Sequence, residues 1–464
     1  MFPLWLNIVI LLVAIHLTLV VLMEHRRPTT ALAWILVLVL LPVVGIVLYY
    51  FFGVSLRNKH LIDRSKLMEL KMHTEPYQKK GVHQRSQLIP MLLNVNCSYP
   101  TGGNDLKVYT LFQDMLDDLK ADMERARHHI HFLFFKIESD AVGREISEVL
   151  IRKAQEGVEV RVMYDAAACW LVPRSFYRKL KKGGVQVQAF SPIFPVLSPF
   201  ANYRNHRKIV VVDGKVGYTG GMNMAERYRV GISTGIWRDT HVRITGPAVT
   251  ELQTAFLCDW YLVSKQWLSS EVYYPAQRCN GNKLMQVVIS NPSSQWRVMD
   301  LSLSEMISAA QEYVYLQTPY FIPSDAIRKS LYGAAWAGVD VRLMIPARPD
   351  VGNLVSNASK WYLQQMMEAG VRVFLYDKGF LHAKTVVADD RVVSIGSVNI
   401  DNRSVTQSFE INTFTYDEAF AREQREVFLH DMESCHELDL NTWLERPVFQ
   451  RFKESVARLF APLL

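Results

Sequence analysis

The stretch from Asn205 to Asp213, NHRKIVVVD, together with GGMN from Gly220 to Asn223, decides how this chain is interpreted. It contains His206, Lys208 and Asp213 in the spacing His-x-Lys-x4-Asp, and Gly-Gly-x-Asn follows after six more residues. The same spacing returns near the C-terminus, where HAKTVVADDRVVSIGSVN runs from His382 to Asn399. Two copies with the same internal spacing indicate a duplicated unit.

The spacing of the first copy predicts a β-hairpin. Residues 209–212 are β-branched and are typical of a buried strand. His206 and Lys208 are two positions apart at its start, so their side chains share one face. Asp213-Gly214 is a turn signal, and the strand that returns from it brings Gly220 and Asn223 back towards His206. The second copy predicts the same hairpin, and its spacing selects Asp389 as the equivalent of Asp213.

An imidazole, an ammonium group and an amide suit the chemistry of a phosphate diester. Lysine and asparagine neutralise and orient phosphate oxygens, and histidine attacks phosphorus or donates a proton near neutral pH. Two such sets supply one nucleophile and one general acid. A solvent-exposed His-x-Lys pair on a strand edge, without a catalytic role, would explain one copy of the motif equally well. It does not explain two copies with the same spacing.

The duplicated motif resembles the signature of the phospholipase D superfamily, and the chain is most similar to bacterial cardiolipin synthases. Three further segments carry the resemblance: WRDTH at 237–241, TPYFIP at 318–323 and NIDNRS at 399–404. The resemblance implies a two-step transfer through a phosphohistidine, without a metal or other cofactor. It implies a catalytic set of six residues and phosphate binding by Asn223 and Asn399; the six are His206, Lys208, Asp213, His382, Lys384 and Asp389. His206 is the expected nucleophile, with His382 as the alternative.

Two carboxylates are candidates for orienting the histidines. A reactive histidine needs its second ring nitrogen held, usually by a carboxylate. Asp239 and Glu410 each follow the motif of their own half, so we expect Asp239 to hold His206 and Glu410 to hold His382; a surface salt bridge is the alternative for each. Asp213 and Asp389 lie at the hairpin turns, where capping of the backbone is their expected role.

The order of elements repeats with the motif and predicts the fold class. Strand-helix-strand patterns over 129–190 and 313–373 each precede a motif, which predicts an α/β fold with a largely parallel sheet. We expect two phospholipase D-like α/β/α sandwich halves, residues 100–278 and 279–464, related by a pseudo-two-fold axis. Residues 56–99 are expected to form a linker that carries a short helix.

Two apolar segments precede this linker. Residues 2–23 and 31–52 are each long enough to cross a bilayer as a helix, which predicts a transmembrane hairpin over residues 1–55. A signal peptide is the alternative for the first segment, and a buried core helix for the second. Such a hairpin predicts a multi-pass protein of the bacterial inner membrane, with its N-terminus and catalytic domain on one side. Basic residues after the second segment favour the cytoplasmic face, whereas Arg26 and Arg27 in the connecting turn oppose it.

The composition limits the classes of possible partners but does not identify one. The chain has 464 residues and a net charge of +7, which suits anionic lipid or nucleic acid. Five scattered cysteines without a Cys-x-x-Cys pair indicate neither a zinc site nor a disulfide framework. Residues 190–203 are either a lip against the bilayer or a buried loop, and residues 443–464 either lie at the membrane interface or dock on the core.

Three functions are compatible with these observations. The first is a membrane-bound transferase that makes cardiolipin from two phosphatidylglycerol molecules and releases glycerol. The second is a phospholipase D-type hydrolase of phospholipid or, with less support, of nucleic acid, since a nuclease needs no membrane segment. The third is a non-catalytic membrane adaptor, against which two complete motifs argue. We expect an anionic phospholipid and the membrane as partners, and no nucleic acid.

Overall fold

A computed structural model of the chain describes residues 3–24, 28–54, 56, 61–74, 86–190, 202–277, 281–350 and 352–461. The lip candidate at 190–203 falls almost entirely outside these ranges. Within them the main body of the chain is a layered α/β structure, and a group of apolar helices precedes it in the sequence. The strands are β1 Thr101–Tyr109, β2 His129–Phe134, β3 Glu159–Asp165, β4 Gln186–Phe190, β5 Arg204–Asn205, β6 Lys208–Val212, β7 Val216–Gly220, β8 Ile236–Arg238, β9 His241–Thr245, β10 Lys283–Ser290, β11 Tyr313–Gln317, β12 Phe321–Ile322, β13 Asp340–Pro346, β14 Arg372–Tyr376, β15 Gly379–Leu381, β16 Thr385–Ala388, β17 Val392–Gly396, β18 Ile400–Asp401, β19 Ser408–Thr415 and β20 Cys435–Glu437.

The helices fall into an N-terminal group and those that cover the sheet. They are α1 Leu4–Met23, α2 Pro28–Leu40, α3 Pro42–Leu48, α4 Arg64–Lys71, α5 Leu88–Asn96, α6 Phe112–Glu124, α7 Ala141–Gln155, α8 Arg174–Lys182, α9 Arg227–Val230, α10 Ala248–Ser264, α11 Val298–Ser308, α12 Asp325–Trp336, α13 Asn353–Glu368, α14 Asn402–Thr406, α15 Glu418–Met432, α16 Leu440–Leu444 and α17 Val448–Arg458. A single π-helical turn, Tyr49–Gly53, continues α3.

One continuous sheet joins the two halves, and its strand order is the same in both. From the centre outwards the first half runs β1-β9-β7-β6-β2-β3-β4 and the second runs β10-β19-β17-β16-β11-β13-β14, with β20 at the edge. The antiparallel pair β1–β10 lies at the join. The prediction of a duplicated α/β fold is therefore confirmed.

The prediction of a largely parallel sheet is wrong. Along the main path of this sheet, parallel pairing among the described strands is limited to β2-β3-β4 and β11-β13-β14, whereas the motif hairpins and their neighbours are antiparallel. Off this path, the short strand β5 pairs with β19 in parallel. The reason is connectivity, because helical crossovers join the outer strands while a tight turn joins the two strands of each hairpin. Helices cover both faces: Ile130 packs on the side of α6 and α7, and Leu133 packs on the side of α10.

The region between the apolar helices and the sheet contains two short helices, α4 and α5. Lys71, at the end of α4, is buried and pairs with Glu251 of α10 at 3.0 Å. Leu88, Ile89 and Leu92 of α5 belong to the core of the second half. This region is thus packed against the sheet structure by both helices.

The N-terminal helices differ from the predicted hairpin. Helix α1 has 20 residues and is the one helix in the described ranges that is long and apolar enough to cross a membrane. The continuous second helix expected over 31–52 is wrong, because the chain breaks at Leu41 and restarts with Pro42 at the first turn of α3. A proline cannot continue the hydrogen bonding of the preceding helix.

The chain folds back at this break. The rings of Trp34 and Tyr49 lie 5.4 Å apart edge to face. In one straight helix these two residues would be separated by roughly 22 Å. Gly45 is close to the backbone of Val37, since a Cβ on Gly45 would lie 2.7 Å from the Val37 carbonyl oxygen. Helices α2 and α3 therefore form a short antiparallel pair beside α1.

The C-terminal helix α17 has two different faces. Glu454 and Ala457 are buried against the body, and Ala457 belongs to the core of the second half. Phe449 and Phe452 on the other face are 68% and 62% exposed. Docking on the core, one of the two alternatives for this segment, is therefore observed, and an apolar stripe remains on the surface.

Candidate active site

The two motifs form the hairpins that their spacing predicts. Strands β6 and β7 are antiparallel, as are β16 and β17. Lys208 and Lys384 are buried, and each lysine donates its Nζ to the carbonyl oxygen of the histidine two residues before it, at 2.6 Å for Lys208 and His206. The histidine and lysine of each motif are thus held next to each other in the protein interior.

The two motif aspartates are not part of this arrangement. The Asp213 carboxylate accepts the backbone N–H groups of residues 127–129, at 2.8–2.9 Å, and Asp389 accepts those of residues 311–313 in the same way. Both residues have a left-handed backbone at the hairpin turn, with φ of 51° and 52°. These contacts fit the expected structural role, because each aspartate ties its turn to the start of the neighbouring strand; the catalytic role that the resemblance implies for Asp213 and Asp389 stays a prediction.

Carboxylates hold both histidines, but in the opposite pairing to the one expected. The Nδ1 atom of His206 lies 3.1 Å from both oxygens of Glu410, and Nδ1 of His382 lies 2.6 Å from Asp239. The prediction that each carboxylate serves the histidine of its own half is wrong. The cause is strand pairing between the halves, since β19 lies beside β5 and β8 lies beside β15.

This crossed pairing makes one site from two halves. Each histidine is held by a carboxylate from the other half, so neither half contains a complete nucleophile or acid set. Glu410 and Asp239 are almost completely buried. With Nδ1 directed at a carboxylate, the remaining ring nitrogen, Nε2, is the atom left for chemistry on each histidine.

The residues around these carboxylates include several that sequence reasoning missed. The Ser397 hydroxyl donates a hydrogen bond to Glu410. Ser397 directly follows Gly396 in the second motif, at the position that Gly221 occupies in the first. Gly221 lies against Asp239, where a Cβ would come within 2.0 Å of the carboxylate oxygen. The absence of a side chain at Gly221 therefore leaves room for the carboxylate that orients His382.

The two motif asparagines are placed differently from each other. Asn223 accepts the backbone N–H of Lys136 at 3.2 Å and donates to the Tyr228 hydroxyl at 2.7 Å. Asn399 is buried, and its Oδ1 has no hydrogen-bond partner among the described residues. Asn399 therefore retains hydrogen-bonding capacity that a bound group can use.

Aromatic side chains enclose the second histidine. Trp237 and Phe380 have ring centroids 5.4 and 5.8 Å from His382, and Tyr228 lies 5.9 Å away edge to face. On the first side, Phe135 meets His206 edge to face at 4.8 Å. These rings exclude water from the imidazoles, and apart from Trp237 in the WRDTH segment nothing in the motif spacing indicates them.

Burial dominates the electrostatics of the site. It lowers the pKa of Lys208 to about 7 and that of Lys384 to about 8, because both ammonium groups are withdrawn from water and repel each other. Burial also lowers the pKa of His206, and it lowers that of His382 to about 3 with help from Lys384. For Asp239, burial raises the pKa, but Lys384 and His382 outweigh it and keep the carboxylate ionised. A bound anion would raise the pKa of every basic group in the site and so favour its protonated form.

Comparison with known proteins identifies the family of this chain. The family described as "Cardiolipin synthase, PLD-like domain" matches residues 119–260 and 303–432. The chain belongs to this family. A second family, described as phospholipase D-nuclease N-terminal, matches residues 5–53, which cover the apolar helices.

Named relatives match along nearly the whole chain. The cardiolipin synthase of Listeria monocytogenes serovar 1/2a (strain ATCC BAA-679 / EGD-e) is 35% identical and covers 99% of both chains. The major cardiolipin synthase of Bacillus subtilis (strain 168) is 37% identical and covers 97% of both. These relationships identify a membrane-associated phosphatidyltransferase of the phospholipase D superfamily, a cardiolipin synthase by homology.

Solved structures share the fold at low sequence identity. The phosphatidylserine synthase of Haemophilus influenzae Rd KW20 superposes with a TM-score of 0.63 at 14% identity, over 82% of this chain and all of that one. A polyphosphate kinase from Porphyromonas gingivalis reaches 0.50 at 14% identity, over 83% of this chain and 56% of that one. At this identity the likeness concerns the fold alone.

Proposed function

We propose that this enzyme joins two phosphatidylglycerol molecules into cardiolipin and releases glycerol, through a phosphohistidine intermediate. The observation that carries the proposal is the crossed pair His206–Glu410 and His382–Asp239, in which a carboxylate of the other half holds Nδ1 of each histidine and leaves Nε2 for chemistry. A binding-only protein has no need of two histidines that are oriented in this way.

In the first step, Nε2 of His206 attacks the phosphorus of one phosphatidylglycerol. The bond from phosphorus to the glycerol head group breaks, and His382 donates its proton to the departing glycerol oxygen. In the second step, a hydroxyl of the second phosphatidylglycerol transfers its proton to His382 and attacks phosphorus. The phosphorus–nitrogen bond breaks, His206 is regenerated, and the product is cardiolipin.

The other groups of the site stabilise charge in these steps. Lys208 and Lys384 face the same space and neutralise the non-bridging phosphate oxygens. We assign the Nδ2–H groups of Asn399 and of Asn223 from the first motif to the same oxygens, as hydrogen-bond donors. The two ammonium groups supply the positive charge for which some phosphoryl-transfer enzymes use a cation, so the proposal includes no metal. Glu410 and Asp239 orient the rings and stabilise their protonated forms.

A product assay tests the reaction. The full chain is purified in mild detergent and supplied with phosphatidylglycerol in mixed micelles, and lipids and free glycerol are both measured. We expect cardiolipin and glycerol in equal amounts, and no product with His206→Ala or His382→Ala. Phosphatidic acid alone would replace the transferase proposal by the hydrolase alternative. A peptide that contains residue 206 with a phosphatidyl group on its histidine is expected after acid-free trapping, and the same adduct on residue 382 instead would exchange the two roles.

We also propose that the catalytic body lies at the cytoplasmic face, with α1 as the single full crossing. Helix α2 has 13 residues, which is roughly 20 Å against a hydrocarbon core of about 30 Å. With α3 folded back along it, the pair enters the bilayer and leaves on the same side. The chain then leaves the helices at the end where α1 meets α2.

This arrangement resolves the conflict among the flanking charges. The sequence has Arg26 and Arg27 between α1 and α2, and further basic residues after residue 56. In the proposed arrangement, the end of α1, the start of α2 and the end of α3 all face the same side of the bilayer. Every basic flank is then on one side of the bilayer, as the positive-inside rule requires for the cytoplasm. In a chain whose native cysteines are replaced by serine, an impermeant maleimide should label Leu4→Cys from outside intact spheroplasts and Arg64→Cys only in inverted vesicles. Labelling of both from one side would refute the arrangement.

A further inference from the structure

A cavity of about 740 Å³ lies in the first half, outside the site described above. It is formed by α8, β4, the end of α10 and the residues that follow the apolar helices. Its volume is within the range of about 300–1,000 Å³ that is usual for small-molecule sites. We call it the α8 pocket.

The polar rim of the α8 pocket is basic. Arg174, Arg178 and Lys181 line it from α8, and their spacing places them on one face of that helix. Lys265 lines it from beyond the end of α10. The described lining residues contain no carboxylate, so this rim is suited to an anion.

The interior of the α8 pocket is apolar. Phe190 and Phe409 meet at 4.9 Å in its wall, and Leu262 and Val263 of α10 contribute aliphatic surface. Val187 and Ala189 of β4 complete this side. An apolar interior under a cationic rim matches a molecule with an anionic head and a hydrocarbon tail.

The pocket also opens beside the place where the chain leaves the apolar helices. The hydroxyl of Tyr203, a lining residue, donates to the carbonyl oxygen of Val54 at 2.8 Å and accepts the N–H of Leu56 at 3.1 Å. Val54 directly follows the π-helical turn that continues α3. The α8 pocket is therefore next to the end of the apolar helices, on the side of the body that is attached to them.

Strand alternation separates this pocket from the catalytic histidines. Phe409 lines the pocket, whereas the next residue, Glu410, holds His206, and successive side chains of β19 point to opposite faces. Arg207, next to His206, lies on the Phe409 side, with its guanidinium 5.4 Å from that ring. The backbone of β5 and β19 thus lies between the pocket and the reacting atoms.

We propose that the α8 pocket binds one intact anionic phospholipid, with its phosphate on Arg174, Arg178 and Lys181 and an acyl chain in the apolar interior. This lipid is not the one that reacts, and the site does not depend on the proposed phosphatidylglycerol chemistry. It gives the catalytic body a second attachment to the membrane, next to the apolar helices.

The test uses the full chain in vesicles, with a tryptophan introduced by Leu262→Trp as the reporter. The probe is phosphatidic acid with brominated acyl chains, at a low mole fraction in phosphatidylcholine. Phosphatidic acid has no head-group alcohol to release, so binding is measured without turnover. The signal is the quenching in the Leu262→Trp chain minus the quenching in the chain without this substitution. It should be greater with brominated phosphatidic acid than with brominated phosphatidylcholine, and this difference is the excess quenching.

Two double variants on one helix separate this site from general attraction to a charged surface. Arg174→Gln with Arg178→Gln should weaken the excess quenching by about tenfold or more, through loss of two charge-assisted contacts. Lys179→Gln with Lys182→Gln removes the same charge from residues of α8 that do not line the pocket and should change it little. Ala189→Trp fills the interior and should abolish it.

Three outcomes would overturn the proposal. They are equal quenching by the two brominated lipids, equal losses in the two double variants, and persistence of quenching with Ala189→Trp. Circular dichroism and thermal unfolding of each variant establish that the chain is folded, and the product assay on the same preparations reports separately on the proposed reaction.

Discussion

Replacement of Glu410 by Gln tests the crossed pairing most directly. Gln keeps the shape of the side chain but loses its charge, while the Ser397 hydroxyl still donates to its oxygen. The amide NH₂ group then faces Nδ1 of His206, which makes Nδ1 an acceptor and moves the ring proton to Nε2. Nε2 is the atom whose lone pair must attack phosphorus, so the variant contains the wrong tautomer.

The expected loss has two sources. A wrong tautomer at a comparable histidine costs about 10⁴ in kcat in serine proteases, which is roughly 5 kcal/mol of barrier. Glu410 also raises the pKa of Lys208, which is only about 7, so its removal reduces the protonated fraction of Lys208 at neutral pH. We therefore expect kcat for cardiolipin formation to fall by about 10³–10⁴ in Glu410→Gln.

A donor with an activated leaving group separates the two histidines. Phosphatidyl-p-nitrophenol releases p-nitrophenolate, which needs little protonation, and its absorbance gives the rate of the first step. Glu410→Gln should remain severely impaired with this donor, because attack is still required. Asp239→Asn, which affects His382, should recover most of its first-step rate, because the general acid is no longer needed.

Two results would refute this reasoning. If Asp239→Asn stays impaired with the activated donor while Glu410→Gln recovers, the roles of the histidines are exchanged. If both variants lose activity equally with both donors, the carboxylates do not act on separate steps. Ser397→Ala is the matched control, since it removes one hydrogen bond to Glu410 without changing its charge. It should cost about tenfold, as for one buried hydrogen bond.

The remaining predictions concern stability, pH and backbone space. Asp213→Ala removes the acceptor of three backbone N–H groups and should lower the free energy of unfolding by about 3 kcal/mol, measured by denaturant titration, with kcat per folded molecule retained. The pKa of Lys208 is about 7 in the folded chain and near 10.4 in the unfolded one, so the unfolded state binds more protons between these two pH values. In this pH range, thermal stability should rise with pH while kcat/KM falls. Lys208→Arg should move the fall in kcat/KM to higher pH. Gly221→Ala should displace Asp239 and reduce activity by more than tenfold, whereas Gly333→Ala, where a Cβ meets nothing within 4 Å, should leave activity unchanged. Unchanged unfolding energy, a flat pH profile below pH 9, or equal activity of the two alanine variants would contradict these predictions in turn.

Local sequence predicted much of the fold because its signals lie within a few residues. The β-branched run before Asp213 predicted a strand and its turn, which the structure shows as β6 and its hairpin with β7. In the same way the repeated order of strands and helices predicted the duplication, which the sheet confirms. The prediction of one helix over 31–52 rested on apolar length, and it missed the break that Pro42 introduces.

The sequence by itself determined the two motifs, the residue types of the site, the duplicated α/β halves and an apolar N-terminal segment. These follow from spacing and composition, which act along the chain. Tertiary structure alone decided which carboxylate holds which histidine, since that depends on β19 lying beside β5 and β8 beside β15. It also decided that α3 folds back on α2 and that Gly221 makes room for Asp239. Contacts between distant residues depend on how whole elements pack, and no local pattern records them.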